Sequence, residues 1–191
     1  MIKPATLADL DQIVALHLDA LSSTPNSVIG TWLIRKLYRQ TMKFDATKIF
    51  VYRENQQILG LISLSFDTPK IIRLLSTGFS LSELGRIMGA LLLHPRSLLE
   101  QVKHKLFMLT VSHYLPPHYT SILTLAVDSR ARRKKIGSSL MAHIEKITPS
   151  GTDSIYVDTY THNVRAIHFY LKNGYHPVAS SFGSTLLKKD L

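Results

Sequence analysis

The stretch V-D-S-R-A-R-R-K-K-I-G-S-S-L-M, Val127–Met141, sets Arg132, Arg133, Lys134 and Lys135 in a row ahead of Ile136-Gly137-Ser138-Ser139. A strand enters this stretch and an apolar series leaves it, so the helix start falls near Ile136. A helix start leaves backbone N–H groups unpaired and carries a partial positive charge. A strand feeding tightly into such an end makes an anion site. Gly137 has no Cβ and lets a ligand approach the backbone, and Ser138 and Ser139 add hydroxyl donors. The plain alternative is a solvated basic turn on a basic protein. Neither G-x-x-x-x-G-K-[ST] nor G-x-G-x-x-G is present, so a triphosphate or dinucleotide site of those kinds is not supported.

Downstream of the loop the pattern is regular. A helix is predicted from Ile136 to about Ile147, then a turn at Thr148-Pro149-Ser150-Gly151. Ile155–Thr159 reads as a strand. Asn163–Lys172 reads as a helix, stopped by Asn173-Gly174. Two strands, about Tyr175–Ser180 and Thr185–Lys189, close the chain. Upstream, Ile122–Val127 is a strand.

The first third opens with a short strand, Met1–Pro4. Thr6, with Asp9 three residues on, reads as the N-cap of a helix whose apolar series is Leu10, Ile13, Val14, Leu18 and Leu21. A second helix is expected from about Ser27 to Lys43. Lys48–Tyr52 and Ile58–Leu64 flank a short polar turn and read as an antiparallel hairpin. Between Asp67 and Tyr119 the period is helical again. Ser80 or Ser82 caps one helix there, His94-Pro95 stops it, and another fits Ser97 to about Leu109.

The 191 residues suit one domain, 1–191. Hydrophobic residues at 45% and charged ones at 19% are enough to bury a core. There is no cysteine, which excludes disulfides, thiolate metal sites and a cysteine nucleophile and agrees with a cytoplasmic location. No apolar run reaches the roughly 18 residues of a spanning helix, and the start shows no signal peptide. The formal charge of +10 favours anionic partners without choosing among them. Zinc spacing, an RNP-like aromatic pattern and a clear helix-turn-helix are all lacking, so nucleic acid is not the expected partner.

Two stretches carry a family resemblance. Val127–Ser138 resembles the acyl-CoA loop of the GNAT superfamily of N-acetyltransferases, V-x-P-x-x-[RQ]-x-x-G-x-[GA], with Arg132 and Gly137 on matching positions. Asn163-Val164-Arg165-Ala166-Ile167-His168-Phe169-Tyr170-Leu171-Lys172-Asn173-Gly174-Tyr175 resembles the second signature, N-x-x-A-x-x-[FL]-Y-x-[KR]-x-G-[FY]. The opening strand and helix are similar to the family's first unit. Two departures stand out: Lys135 occupies the first glycine position, and Ser129 the usual proline.

The resemblance implies an α/β (α+β) fold. It has a mixed, mostly antiparallel central sheet of about seven strands flanked by helices. Residues 67–119 would be a helical insertion between the third and fourth strands. Loops of about fifty residues with their own structure are usually functional, so this segment and the helix Ser27–Lys43 are expected to wall the acceptor side. Leu91, Leu92, Leu98, Leu99, Phe107 and Met108 in the insertion offer a dimer face or a membrane-docking face, with plain packing against the sheet as the simpler account.

The implied activity is transfer of acetyl from acetyl-CoA to a primary amine by direct attack in a ternary complex, with no metal. The backbone at Leu125, Ala126 and Val127 would hold the thioester arm. Arg132, Arg133, Lys134, Lys135, Ile136, Gly137 and Ser138 would hold the pyrophosphate. Asn163 and Ala166 would meet the pantetheine arm, and Tyr170 would donate a proton to the leaving sulfur. As general base Asp158 stands first and Asp128 second, with His113, His118 and His162 nearby in sequence. The acceptor is open: a small amine such as an amino sugar, an antibiotic or a protein amino terminus all fit. A homodimer is also open. The rival reading is a binding module, either a non-catalytic CoA sensor or a nucleic-acid-binding protein using the basic surface.

Overall fold

The computed structural model describes residues 1–22 and 24–191. Its strands, in chain order, are β1 (Ile2–Pro4), β2 (Thr47–Glu54), β3 (Gln57–Ser65), β4 (Thr120–Val127), β5 (Ser154–Tyr160), β6 (His176–Ser181) and β7 (Ser184–Asp190). All seven join one sheet in the order β1-β2-β3-β4-β5-β7-β6. The central pair β4–β5 is parallel, and every other neighbouring pair is antiparallel. The mixed, mostly antiparallel sheet expected from the sequence is present.

Two helical stretches precede the first hairpin: α1 (Leu10–Ala20), then α2 (Pro25–Ile29) with α3 (Thr31–Thr41). The single helix expected over Ser27–Lys43 is therefore two. Gly30 divides them at φ 120°, a backbone setting that ends α2 and starts α3 in a new direction. The Thr6 cap also differs in detail. Its backbone N–H donates to the Asp9 carboxylate at 2.9 Å across a 3-10 turn, Leu7–Asp9, that leads into α1. The hairpin turn is Asn55-Gln56, both with positive φ, the two-residue link that matches strand twist.

Alternation along the strands decides which helix covers which face. Val51, Leu61 and Ala126 meet α1 and α3. Phe50, Ile62 and Ile122 face the other way, towards α7 (Ile136–Ile147), through Ile136, Leu140, Met141 and Ile144. Helix α8 (Val164–Lys172) adds Tyr170 to that second core.

The insertion between β3 and β4 holds α4 (Thr68–Thr77), α5 (Leu81–Leu93) and α6 (Pro95–Val111). Of the two caps the sequence offers, Ser80 and Ser82, it is Ser80 that caps α5, in a reciprocal pair with Glu83. Helix α6 anchors itself on the sheet by burying Phe107 and Val111 against Tyr156 and Leu186. Leu91 packs against Ile29 and Leu33. Of the six apolar residues singled out in the sequence, Leu91 and Phe107 are buried, and Leu98 and Met108 pack partly inward. Leu92 and Leu99 remain exposed.

One irregularity shapes the middle of the sheet. Between β3 and β4 the register slips, so that Ser63 faces Thr124 while Leu64 faces Ile122. Leu123 is the extra residue, a β-bulge that bends its strand. On the other edge β4 pairs with β5 only at Thr120–Ile155 and Ser121–Tyr156. Beyond those pairs β4 stays with β3 and β5 stays with β7. The sheet opens at its centre.

Helix α7 lies close against β3. A Cβ added at Gly60 would sit 2.6 Å from Ile136 Cγ2 and 3.1 Å from Leu140 Cδ1. Gly60→Ala is therefore expected to lower stability by about 1–3 kcal/mol through overpacking, read as a drop in the urea midpoint at unchanged slope. An unchanged midpoint would show that α7 can shift freely.

A second expectation concerns His17 on the buried face of α1. Burial holds its pKa down to about 4 from the ordinary 6.5. The folded state therefore binds fewer protons than the unfolded state between those values, and stability falls as pH drops from 6.5 towards 4. The loss from this one group is about 3 kcal/mol. Urea midpoints of wild type and His17→Gln should converge as pH falls through that window; parallel curves would contradict the assignment.

Candidate active site

The gap between β4 and β5 widens into a cleft of about 740 Å³. Ser121–Leu125 line one wall and Tyr156–Tyr160 the other. Tyr170 of α8 lines it too. The insertion contributes Thr68, Ile72, Gln101, His104, Lys105 and Met108, so it does border the cleft. The expectation for Ser27–Lys43 needs correcting. Thr24, Pro25 and Asn26, at the entry of α2, supply that border, while α3 packs on α1 instead.

The start of α7 leaves backbone N–H groups open. Its first internal bond runs from Ser139 N–H to the Lys135 carbonyl, at 2.9 Å. The N–H groups of Ile136, Gly137 and Ser138 precede that bond and lack a helical partner. The Ile136 side chain is buried in the core, so it can offer a ligand only its backbone. Arg132, Arg133, Lys134 and Lys135 are all exposed around this end. A Cβ on Gly137 would stand 3.1 Å from the Phe169 ring, so the space this glycine leaves is taken by that ring, where the sequence reading had given it to a ligand.

The other sequence candidates fall as follows. Leu125 lines the cleft, Ala126 is buried against α1, and Val127 packs beside the α7 core. Asn163 caps α8, its Oδ1 accepting from Ala166 N–H at 3.2 Å, and Ala166 packs partly inward. Tyr170 is buried, with its ring 5.5 Å from Phe169 and 5.6 Å from Tyr175. Burial, and then the nearby Asp158 charge, push its pKa up, so the phenol keeps its proton at any working pH. Asp128 lies away from the cleft. It accepts from Arg130 N–H at 2.8 Å and pairs with the Arg130 guanidinium at 2.8 Å, which holds the carboxyl below its ordinary value.

Asp158 is in the cleft, and it is not alone. His104 Nε2, from the inserted α6, lies 2.9 Å from Asp158 Oδ2. That hydrogen bond raises the His104 pKa above the ordinary histidine value. Sequence reasoning passed over His104 in favour of histidines nearer the motifs. The signal was available: His104, Phe107, Met108 and Val111 share one face of α6, a polar group on an apolar stripe. His17 was missed the same way, on the stripe of Leu10, Ile13 and Val14. Its Nδ1 lies 2.9 Å from Tyr38 Oη, and its Nε2 has no partner among the described residues.

The profile of the acetyltransferase (GNAT) family matches residues 18–175. The chain belongs to this family. It is an acetyl-CoA-dependent N-acetyltransferase. No curated protein sequence matches it. Among solved structures, it is similar to the PaiA N-acetyltransferase of Thermoplasma acidophilum in complex with coenzyme A, at 12% identity and a TM-score of 0.64, covering 100% of this chain and 98% of that one. It is also similar to the ribosomal-protein-S18-alanine N-acetyltransferase of Escherichia coli, at 12% identity and a TM-score of 0.60, over 100% and 92% of the chains. A third is the ribosomal-protein-alanine N-acetyltransferase of Brucella melitensis, at 18% identity and a TM-score of 0.61, over 100% and 99%. At these identities the likeness is one of fold.

Within the GNAT pattern, Lys135 holds a glycine position. Its backbone explains why glycine suits that place: φ is 60° and ψ 10°, the left-handed region. Arg133 also has positive φ, 67°. A side chain in this region costs about 1–2 kcal/mol, offset in glycine by greater freedom of the unfolded chain. Lys135→Gly should therefore be more stable than Lys135→Ala by up to about 1 kcal/mol in urea unfolding, since both lose the charge and only one relieves the backbone. A less stable glycine variant would contradict the left-handed setting.

Proposed function

We propose that this GNAT enzyme carries acetyl from acetyl-CoA to the primary amine of a small molecule, in the cytoplasm, with the reaction centred on the cleft between β4 and β5. The observation that carries this reading is the parting of those strands beside the unpaired N–H groups that open α7. Bound acetyl-CoA supplies the activated acyl group as a thioester. The chain's own groups fit it: Ile136, Gly137 and Ser138 offer amides, and Arg132, Arg133, Lys134 and Lys135 neutralise a pyrophosphate.

The edge of β4 that leaves β5 at Ser121 provides backbone groups at Leu125, Ala126 and Val127 for the thioester arm. A backbone N–H there can bond the acetyl oxygen and stabilise charge that develops on it. Asn163 and Ala166 border the arm from the start of α8. Tyr170, kept protonated by burial, is the donor to the departing sulfur. Asp158 is the carboxylate on the acceptor side.

An amino sugar is the first acceptor to test, since its ammonium would meet Asp158 and its ring the tyrosines of the same wall. A peptide with an alanine amino terminus is the second, suggested by the two ribosomal-protein-alanine N-acetyltransferases of like fold. An aminoglycoside is the third. A homodimer through the exposed side of α5 and α6, where Leu81, Leu93 and Leu109 stand out, is compatible with this reading.

The test is thiol release from acetyl-CoA with glucosamine, an aminoglycoside and an alanine-terminated peptide. Tyr170→Phe should lower kcat by about a hundredfold or more while acetyl-CoA affinity by calorimetry stays within a few-fold. Full activity in Tyr170→Phe would remove the tyrosine from the mechanism. Tight acetyl-CoA binding without thiol release from any of the three would favour a sensor.

A further inference from the structure

We infer that His104, carried by the inserted helix α6, accepts the proton of the acceptor ammonium, and that Asp158 positions it. The inference rests on the acetyltransferase reading above and deepens it by dividing the roles of two side chains. It begins from a contact. His104 Nε2 and Asp158 Oδ2 are 2.9 Å apart, and each side chain is about 41% exposed, so both reach the solvent of the cleft. Among the described residues lining the cleft, Asp158 is the only carboxylate. Its Oδ2 is engaged by His104.

The direction of that bond follows from chemistry. A carboxylate accepts, so His104 Nε2 carries the hydrogen. The neutral ring then has its lone pair on Nδ1, as in any histidine oriented by a carboxylate through its other nitrogen. Asp158 thereby fixes the tautomer and stabilises the imidazolium that forms. The insertion is what makes this arrangement possible. Phe107, one turn along α6, is fully buried against Tyr156, and Tyr156 is two residues from Asp158 on the same face of β5. The same packing that seats the helix on the sheet sets His104 over the carboxylate.

The neighbouring ionisable groups favour His104 over its rivals. Tyr119, Tyr156, Tyr160 and Tyr170 bring phenols to the cleft, and burial raises the pKa of Tyr119, Tyr160 and Tyr170. They are donors rather than bases. His17 lines the far side from α1, and burial makes it a weak base, near 4. On α6 itself Lys105 is cationic, while Glu100 and Lys103 pair with each other at 3.1 Å. Among the described residues lining the cleft, His104 alone combines access, a fixed tautomer and a counter-charge.

The proton balance closes. An ammonium carries three protons. One passes to His104 Nδ1, which frees the nitrogen lone pair to attack the thioester carbonyl. The C–N bond forms and the C–S bond breaks. One of the two remaining protons stays on the amide nitrogen. Tyr170 gives its own proton to the departing sulfur, and the other nitrogen proton, passed on through water, restores the phenol. The imidazolium returns its proton to solvent.

Two measurements test the division of labour. Histidine 15N spectra of the intact protein, with His104 assigned by its loss in His104→Gln, should show the Nε2–H tautomer and a titration above the ordinary histidine range; Asp158→Asn should move that titration down. An Nδ1–H tautomer, or a titration that ignores Asp158→Asn, overturns the inference. In the thiol-release assay, with whichever of the three amines above reacts fastest, the acid limb of kcat/KM should follow the His104 titration. His104→Gln should lose that limb and a hundredfold or more in rate, while Asp158→Asn should shift the limb to lower pH with a smaller loss. A His104→Gln rate within threefold of wild type, with the limb intact, would make Asp158 or water the base. Calorimetry with coenzyme A separates the two levels: all three proteins should bind it equally, and failure of the wild type to bind would strike at the acetyltransferase reading instead.

Discussion

The parting of β4 from β5 is the constraint on which the molecule depends. A parallel pair buried at the centre of a sheet ordinarily satisfies its backbone groups along its whole length. Here the ladder stops after Ser121 and Tyr156, and Leu123 bulges from β4 just beyond the last pair. The freed edge must find partners elsewhere, in water or in a ligand. Everything proposed for the cleft uses that edge or what hangs beside it.

Around the opening, two cores hold the walls still. Helix α7 is seated by Ile136, Leu140 and Ile144, so the amides at its start are fixed by apolar packing rather than by the flexible cations around them. Helix α6 is seated by Phe107 and Val111 on the other half of the sheet. Partly exposed ion pairs such as Lys103–Glu100 contribute little to this arrangement. The precision of the site is an outcome of burial, and the charged groups are placed by it.

Much of this was legible in the sequence, for identifiable reasons. Helix α7 begins and ends at Ile136 and Ile147, as predicted, because the basic loop, the glycine and the apolar period all mark the same boundary. The hairpin and the capped α5 were equally plain. Gly30 was the missed break: a glycine inside an apolar period is ambiguous until its φ is known. The meeting of His104 with Asp158 spans 54 residues and depends on how the insertion folds back, which no local pattern encodes. The strand bulge left no mark either, since Leu123 reads like its neighbours. Local chemistry was therefore readable from the phosphate-loop side of the site, whereas the acceptor side is a product of long-range packing.

Amide hydrogen exchange with and without coenzyme A addresses the central claim most directly. If the opened sheet and the start of α7 grip the ligand, protection should rise at Leu125–Val127 and Ile136–Ser138, with little change on the outer side of α5. Protection confined to the outer helices, or none at either segment at saturating ligand, would contradict the account.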